Sequence, residues 1–198
     1  MFVALLMVGC GGPDLDDKET LDGIIAEAID EEKLQKRGQK GEELRYAPNE
    51  DTPYTGWTKA MWGNGQIKFL MQYKDGKMDG LGTRWYENGQ KQAEGNYKDG
   101  KLDGLWTDWY ENGQKELEAN WKDDKEEGLW TSWYENGQKE SEQNYKEGKP
   151  MSVVVWKPNG EMCPVTNLKN GNGILVWYRD DGTVDFRVTI KDGELVKD

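Results

Sequence analysis

From residue 56 onward the sequence copies itself every 24 residues, and that period constrains the fold more than any other feature. Gly56, Gly80, Gly104 and Gly128 open successive copies, and Gly65, Gly89, Gly113 and Gly137 recur at one fixed offset inside them. The clearest copy, GLWTDWYENGQKELEANWKDD, follows GLGTRWYENGQKQAEGNYKDG and precedes GLWTSWYENGQKESEQNYKEG. Self-similarity at a short fixed period signals a repeat architecture, in which each unit buries its apolar side only against its neighbours. Degenerate copies flank this run: residues 44–56 read as a lead-in strand, and residues 156–160 and 173–182 as late versions of the WYENG corner.

Each unit reads as two strands, about residues 104–110 and 114–121 in the clearest copy, with a corner after each. A two-residue Asn-Gly turn would pair Asp108 with Leu117. A three-residue Glu-Asn-Gly loop pairs Tyr110 with Gln114, hence Thr107 with Leu117 and Leu105 with Ala119. The second register gathers Leu105, Thr107, Trp109, Leu117, Ala119 and Trp121 on one side, which a one-residue slip would scatter. It therefore predicts a type I turn closed by a left-handed glycine. Pro158 in the corner at 156–160 fits the first loop position of such a turn. In the other corner Asp124 replaces the glycine of Gly76, Gly100 and Gly148, and Asp tolerates left-handed backbone, so a slightly strained turn is expected there.

Because the period is even, every copy keeps the same residues on the same face. The predicted apolar face runs from Trp57, Met61, Ile67, Phe69, Met71 and Tyr73 through Leu81, Trp85, Ala93 and Tyr97 to Leu129, Trp133 and Tyr145. The opposite face carries Glu94, Glu118, Glu142, Lys98, Lys122 and Lys146, with Tyr86, Trp106, Tyr110, Trp130 and Tyr134 among them. Val184, Phe186, Val188 and Ile190 alternate with polar residues as a further strand. The fold class is all-β: an elongated antiparallel meander of about a dozen strands, built from tandem hairpin repeats. Composition agrees once the repeat is known. Leu, Ile, Val and Phe fall below the roughly 20 % at which a charged chain becomes a disorder candidate. Yet 25 glycines mark turns, and 10 Trp and 9 Tyr supply the apolar face.

The N-terminal part is different. Residues 2–9, FVALLMVG, are apolar and precede Cys10, the arrangement of a lipoprotein signal with Cys10 as the acylated residue. The charged stretch that opens such a signal is missing, so a start upstream of Met1 is expected. Acylation of Cys10 leaves Cys163 without a disulfide partner, and its apolar neighbours mark it as a buried small residue. Residues 11–55 hold 13 acidic and 6 basic side chains, so −7 of the net −12 lies there. Leu21, Ile24, Ile25, Ala28, Ile29 and Leu34 recur at helical spacing, predicting an amphipathic helix over about residues 18–36 that caps the repeat sheet. Three regions follow: a signal segment 1–10, an acidic linker with the helix over 11–43, and the repeat domain 44–198.

Several function classes are disfavoured. The chain has no histidine, which removes Ser-His and Cys-His nucleophiles and His metal sites. Its three serines, Ser132, Ser141 and Ser152, begin no S-x-x-K motif. A charge of −12 disfavours binding to a phosphate backbone, so no nucleic acid is expected. Residues 95–101, GNYKDGK, imitate a phosphate loop, but Leu102 follows where Ser or Thr is needed, and the segment enters a hairpin rather than a helix. Asp123, Asp124, Glu126 and Glu127 lack the oxygen spacing of a calcium loop. No catalytic residue, cofactor or metal is expected. The candidate binding surface is the aromatic column Tyr86, Trp106, Tyr110, Trp130 and Tyr134, which could receive sugar rings or an extended peptide. Its alternative is mutual packing of those rings.

The strings WYENGQK and YKDGK-x-DG-x-W, tandem at 24 residues, resemble the bacterial variant of the MORN repeat. The lead-in YAPNEDTPYTG and the multi-repeat layout resemble the YwqK family of toxin–antitoxin antitoxins. The resemblance covers about residues 44–198. It implies a sheet of repeated hairpins used for binding, with no catalytic residues, and through the antitoxin family a cytoplasmic toxin partner. With the lipoprotein signal, the function expected is instead a lipid-anchored protein of the bacterial cell envelope. Such a protein would bind an unidentified protein or an envelope glycan through its sheet.

Overall fold

Asp17 opens the first helix. Its carboxylate accepts from the Thr20 amide at 2.8 Å and so caps α1 (Lys18–Glu27). The computed structural model describes residues 12–196; Cys10 and the signal segment lie outside the described residues. The helix stops well short of residue 36. Ile29 and Asp30 leave it as β1 (Ile29–Asp30), which pairs in parallel with Thr58 and Lys59. Lys59 Nζ donates to the Ile25 carbonyl at 2.6 Å and so satisfies one of the carbonyls left open at the helix end. A small hairpin follows, β2 (Gln35–Arg37) with β3 (Leu44–Tyr46), tied to the sheet by the Arg45 amide on the Gly76 carbonyl.

The repeats then form nine consecutive antiparallel strands: β4 (Gly56–Met61), β5 (Ile67–Lys74), β6 (Lys77–Trp85), β7 (Lys91–Lys98), β8 (Lys101–Trp109), β9 (Lys115–Lys122), β10 (Lys125–Trp133), β11 (Lys139–Lys146) and β12 (Lys149–Val155). With β1 on its edge this is a ten-stranded sheet. The expected meander of a dozen strands is interrupted after β12. Pro164 has no N–H to continue the ladder, and the irregular segment keeps only bonds such as Cys163 N–H to the Val155 carbonyl and Gly171 N–H to the Met151 carbonyl. The chain resumes as a separate sheet, β13 (Gly173–Tyr178), β14 (Val184–Lys191) and β15 (Glu194–Leu195). Leu168 and Cys163 are buried between β12 and this sheet, with Val153, Val155, Leu175, Val176 and Ile190.

The two corner types follow from their residues. Asp75–Gly76 and Asp99–Gly100 are two-residue turns with positive φ at both positions, the twist a tight hairpin requires. Asp124 takes φ 65° in the same place, and its carboxylate accepts from the Leu102 amide at 2.7 Å, a bond that offsets the strain. At the WYENG corner Gly113 N–H donates to the Tyr110 carbonyl and Tyr110 N–H to the Gln114 carbonyl, with Gly113 at φ 83°. This is the predicted three-residue loop.

The register beyond that loop corrects the sequence reading. Trp109 pairs with Lys115, but Asp108 pairs with Leu117, so Glu116 is an extra, bulged residue. Gln92 and Glu140 are bulged in the neighbouring copies. A bulge shifts the pairing by one residue, which moves the second strand to the register rejected above: Trp106 faces Ala119, and Leu105 faces Asn120. The sheet therefore has two partly apolar faces instead of one. Leu81 and Trp85 share the face on which α1 lies, whereas Ala93, Tyr97, Trp106, Leu117, Ala119, Trp121 and Trp130 share the opposite one. The α1 face buries Ile24, Ala28 and Leu15 against Ile67, Leu70 and Trp85, and there the helix does cap the sheet.

Each corner is also bonded to the next one. Tyr86, Tyr110 and Tyr134 donate their hydroxyls to the carbonyls of Trp109, Trp133 and Trp156 at 2.7–2.8 Å. Asn88, Asn112 and Asn136 donate their amides to the carbonyls of Glu111, Glu135 and Pro158. Asn112 Oδ1 additionally accepts from Gln114 N–H. Asn112→Ala removes both bonds and is expected to lower stability by about 1–2 kcal/mol. Urea denaturation followed by circular dichroism checks this; a change below half that range would mean the corner is held by its backbone alone.

Candidate functional site

Two continuous rows of side chains cross the sheet, one on each face. On the α1 face the order is Leu70, Thr83, Glu94, Thr107, Glu118, Thr131, Glu142 and Val154. Beside this row Lys91, Lys115 and Lys139 bridge Glu94, Glu118 and Glu142. The same lysines lie over the rings of Trp109, Trp133 and Trp156, 5.4–5.9 Å from their centroids. Each lysine thus joins its own hairpin to the tryptophan of the next, a contact of cation–π type.

On the opposite face the order is Met71, Gly82, Gly95, Trp106, Ala119, Trp130, Gln143 and Val153. Large rings lie over small residues. A Cβ placed on Gly95 would come 2.2 Å from Trp106 Cε3. Trp130 is packed between Trp121 at 4.9 Å and Tyr145 at 5.0 Å, and its indole N–H donates to the Asn120 carbonyl. The expected aromatic column is therefore divided. Trp106 and Trp130 stand on the sheet face, two strands apart, while Tyr86, Tyr110 and Tyr134 sit at the corners with their hydroxyls engaged. Trp106 alone of the five lines the large cleft over this face. That cleft, about 970 Å³, is floored by Phe69, Met71, Tyr97 and Trp106 and walled by Lys36, Glu42 and Arg45 near the β2–β3 hairpin. Burial, with Glu31 alongside, pushes its Tyr73 hydroxyl up to about 12.

Three segments match the MORN repeat variant. They are residues 78–99, 102–123 and 126–147, consecutive and in phase with the structural hairpins. No curated protein matches the sequence. Each MORN copy runs from one Asp-Gly type corner to the next, so its motif residues can be assigned by what they touch. The tryptophan of WYENG goes to the α1 face, its tyrosine and asparagine bond the next corner, and its glycine takes the left-handed conformation. These are architectural roles, in keeping with a repeat module.

In two of the three MORN copies the bulged position holds a carboxyl, Glu116 and Glu140, where the first copy has Gln92. Burial, then the neighbouring Asp108, raises the carboxyl of Glu116; burial, with Asp180 and Glu116, raises that of Glu140. Burial, with Glu116 and Glu140 near it, also raises the Tyr110 hydroxyl. Among the described residues no group of acidic or cysteine side chains is arranged to hold a metal. A carboxyl raised on folding contributes stability that is full below its unfolded value, about 4.3, and lost as pH rises through the folded value. Glu140→Gln is therefore expected to raise the melting temperature by a few degrees at pH 7 and to leave it unchanged at pH 3. An equal shift at both values would show that the carboxyl is not the cause.

The sequence reading placed Leu105 and Leu129 on the apolar face without offering them as binding residues, and it missed Lys115 and Lys139 on the α1 face. The signal of the lysines was present as the 24-residue recurrence of K-x-x-E, which the assumed register had divided between the two faces.

Proposed function

We propose that the protein is a non-catalytic binding scaffold, held at a bacterial membrane by a lipid on Cys10, that captures a partner protein on its MORN sheet. The observation that carries the reading is the part of the α1 face that no described residue covers. Leu105 and Leu129 are 46 % and 48 % exposed, at positions where the first copy has Leu81 beneath the helix. Exposed leucines aligned over successive repeats mark an interaction surface more strongly than leucines scattered singly. The anchor rests on the run of residues 2–9 ahead of Cys10. No helix among the described residues is long and apolar enough to cross a membrane, and an acyl chain would supply attachment without one.

Metabolic labelling with a palmitate analogue, using a gene that includes the upstream sequence, tests the anchor. Label is expected on the wild type and not on Cys10→Ala. Its absence from the wild type overturns the anchor and favours the alternative reading, a cytoplasmic antitoxin. Partner binding is tested separately by chemical crosslinking in cells.

A further inference from the structure

The same five side chains recur on the α1 face every 24 residues, and among the described residues only the first set is covered. The sets are Leu81, Thr83, Trp85, Lys91 and Glu94; then Leu105, Thr107, Trp109, Lys115 and Glu118; then Leu129, Thr131, Trp133, Lys139 and Glu142. On the first set lie α1 and its lead-in. Ile24, Leu21 and Ile25 pack with Trp85 and Leu81, and Asp16 reaches Lys91 Nζ at 3.0 Å. Trp85 is 4 % exposed, and the Lys91 side chain 17 %. In the next two sets the lysine side chains are 48 % and 39 % exposed, and each has only the glutamate of its own hairpin as an ion-pair partner among the described residues.

The spacing of the sets decides what can cover them. Two strands per repeat at about 4.8 Å place successive sets about 10 Å apart. That equals the distance at which two packed helices lie side by side, about 8–10 Å. α1 straddles two units, Trp57, Ile67 and Leu70 of the hairpin before the first set and Leu81 and Trp85 of that set, so a helix laid across the second and third sets fits beside it.

We propose that the second and third sets form a docking site for an acidic amphipathic helix of a partner protein, seated as α1 is seated across Leu70 and Trp85. This rests on the partner-binding reading above and states what the partner must present. Its helix carries apolar residues at the spacing of Leu21, Ile24, Ile25 and Ala28. A carboxylate precedes them, as Asp16 does, to meet Lys115 or Lys139. A second copy of this chain is a poor occupant, because its own α1 is engaged with its own Leu70 and Trp85.

The chain supplies its own probe, a synthetic peptide of residues 12–28. Lys18 and Asp22 meet as an exposed i,i+4 ion pair, so a lactam between them fixes the helix without touching its apolar side. Fluorescence anisotropy of the labelled peptide against the purified full chain is expected to show saturable binding. Leu105→Asp with Leu129→Asp should weaken it at least tenfold while leaving the circular dichroism unchanged, since both leucines are half exposed. Lys115→Glu with Lys139→Glu should weaken it several-fold, and a peptide carrying Asp16→Lys should recover the loss. Absence of saturable binding, or equal binding by the leucine variants, overturns the proposal. So does a dimer in light scattering that the leucine variants dissolve, because the occupant is then a second copy. A photocrosslinker replacing Leu105 or Trp106 separates this idea from the broader reading. Capture only from position 106 sinks the helix site and leaves partner binding standing; capture from neither sinks both.

Discussion

Gly95→Val is expected to lower the stability of the sheet by about 3 kcal/mol, the upper end of what overpacking a well-filled site costs. The reason is the position of the Trp106 indole, whose Cε3, Cδ2 and Cζ3 atoms lie 2.2–3.0 Å from where a Cβ on Gly95 would stand. Retreat is blocked by Tyr97, which meets Trp106 edge to face at 6.3 Å. That ring would itself lie 3.1 Å from a Cβ on Gly82. Alanine is a smaller insult. In the next copy Ala119 sits fully buried opposite Trp130, so the repeat accommodates a methyl group at this position. Urea denaturation followed by far-ultraviolet circular dichroism measures the loss without relying on tryptophan fluorescence. Adding Trp106→Ala to Gly95→Val should restore part of it, with a coupling of about 1–3 kcal/mol. A single variant within 1 kcal/mol of wild type, or a double variant that is simply additive, would refute the steric account.

Gly95 also shows where the sequence was legible and where it was not. The period, the hairpins, the three-residue loop and the left-handed Asp124 could all be read, because each depends on local backbone chemistry that particular residues impose. The bulge after Lys115 could not be read from alternation. Glu116 is an ordinary strand residue by type, and a bulge changes the pairing without changing the pattern. The consequence was large: one extra residue moved Trp106 and Trp130 to the same face as Ala119 and Trp121, and divided the apolar residues between two faces. A cross-strand size argument would have found it. Trp106 recurs where its neighbouring strands offer only Gly95 and Ala119, and a large ring over a small residue is the pairing that fills the sheet surface without overlap. The end of α1 was hidden for a different reason. Ile29 continues the helical spacing, but its backbone is claimed by Thr58, a residue that no local pattern connects to it. The candidate column is divided because Tyr86, Tyr110 and Tyr134 belong to corners, where alternation along a strand no longer applies.

In the meander each strand pairs only with the strands next to it, and this sets the form of the second large effect. Ile24→Asp places a carboxylate where 3 % of the side chain is exposed, among Leu70, Ile67 and Trp85. The lost burial and the desolvation of the new charge together should destabilise the N-terminal end by about 4 kcal/mol. Helix undocking also frees Lys91 from Asp16 and Lys59 from the Ile25 carbonyl. Repeat proteins transmit such damage only from neighbour to neighbour. Amide hydrogen exchange should accordingly show protection lost across β4, β5 and β6, reduced in β7, and retained in β10 to β12, where Val153 and Val155 belong to a separate cluster. Glu19→Ala on the exposed side of the same helix should stay within about 0.5 kcal/mol of wild type. Uniform loss along all nine strands would show that the sheet unfolds as one cooperative unit, and α1 would then be a keystone of the whole fold instead of a local cover. Retained protection at β5 and β6 would mean that Leu70 and Trp85 do not depend on the helix, and the template for an adjacent helix would lose its energetic basis.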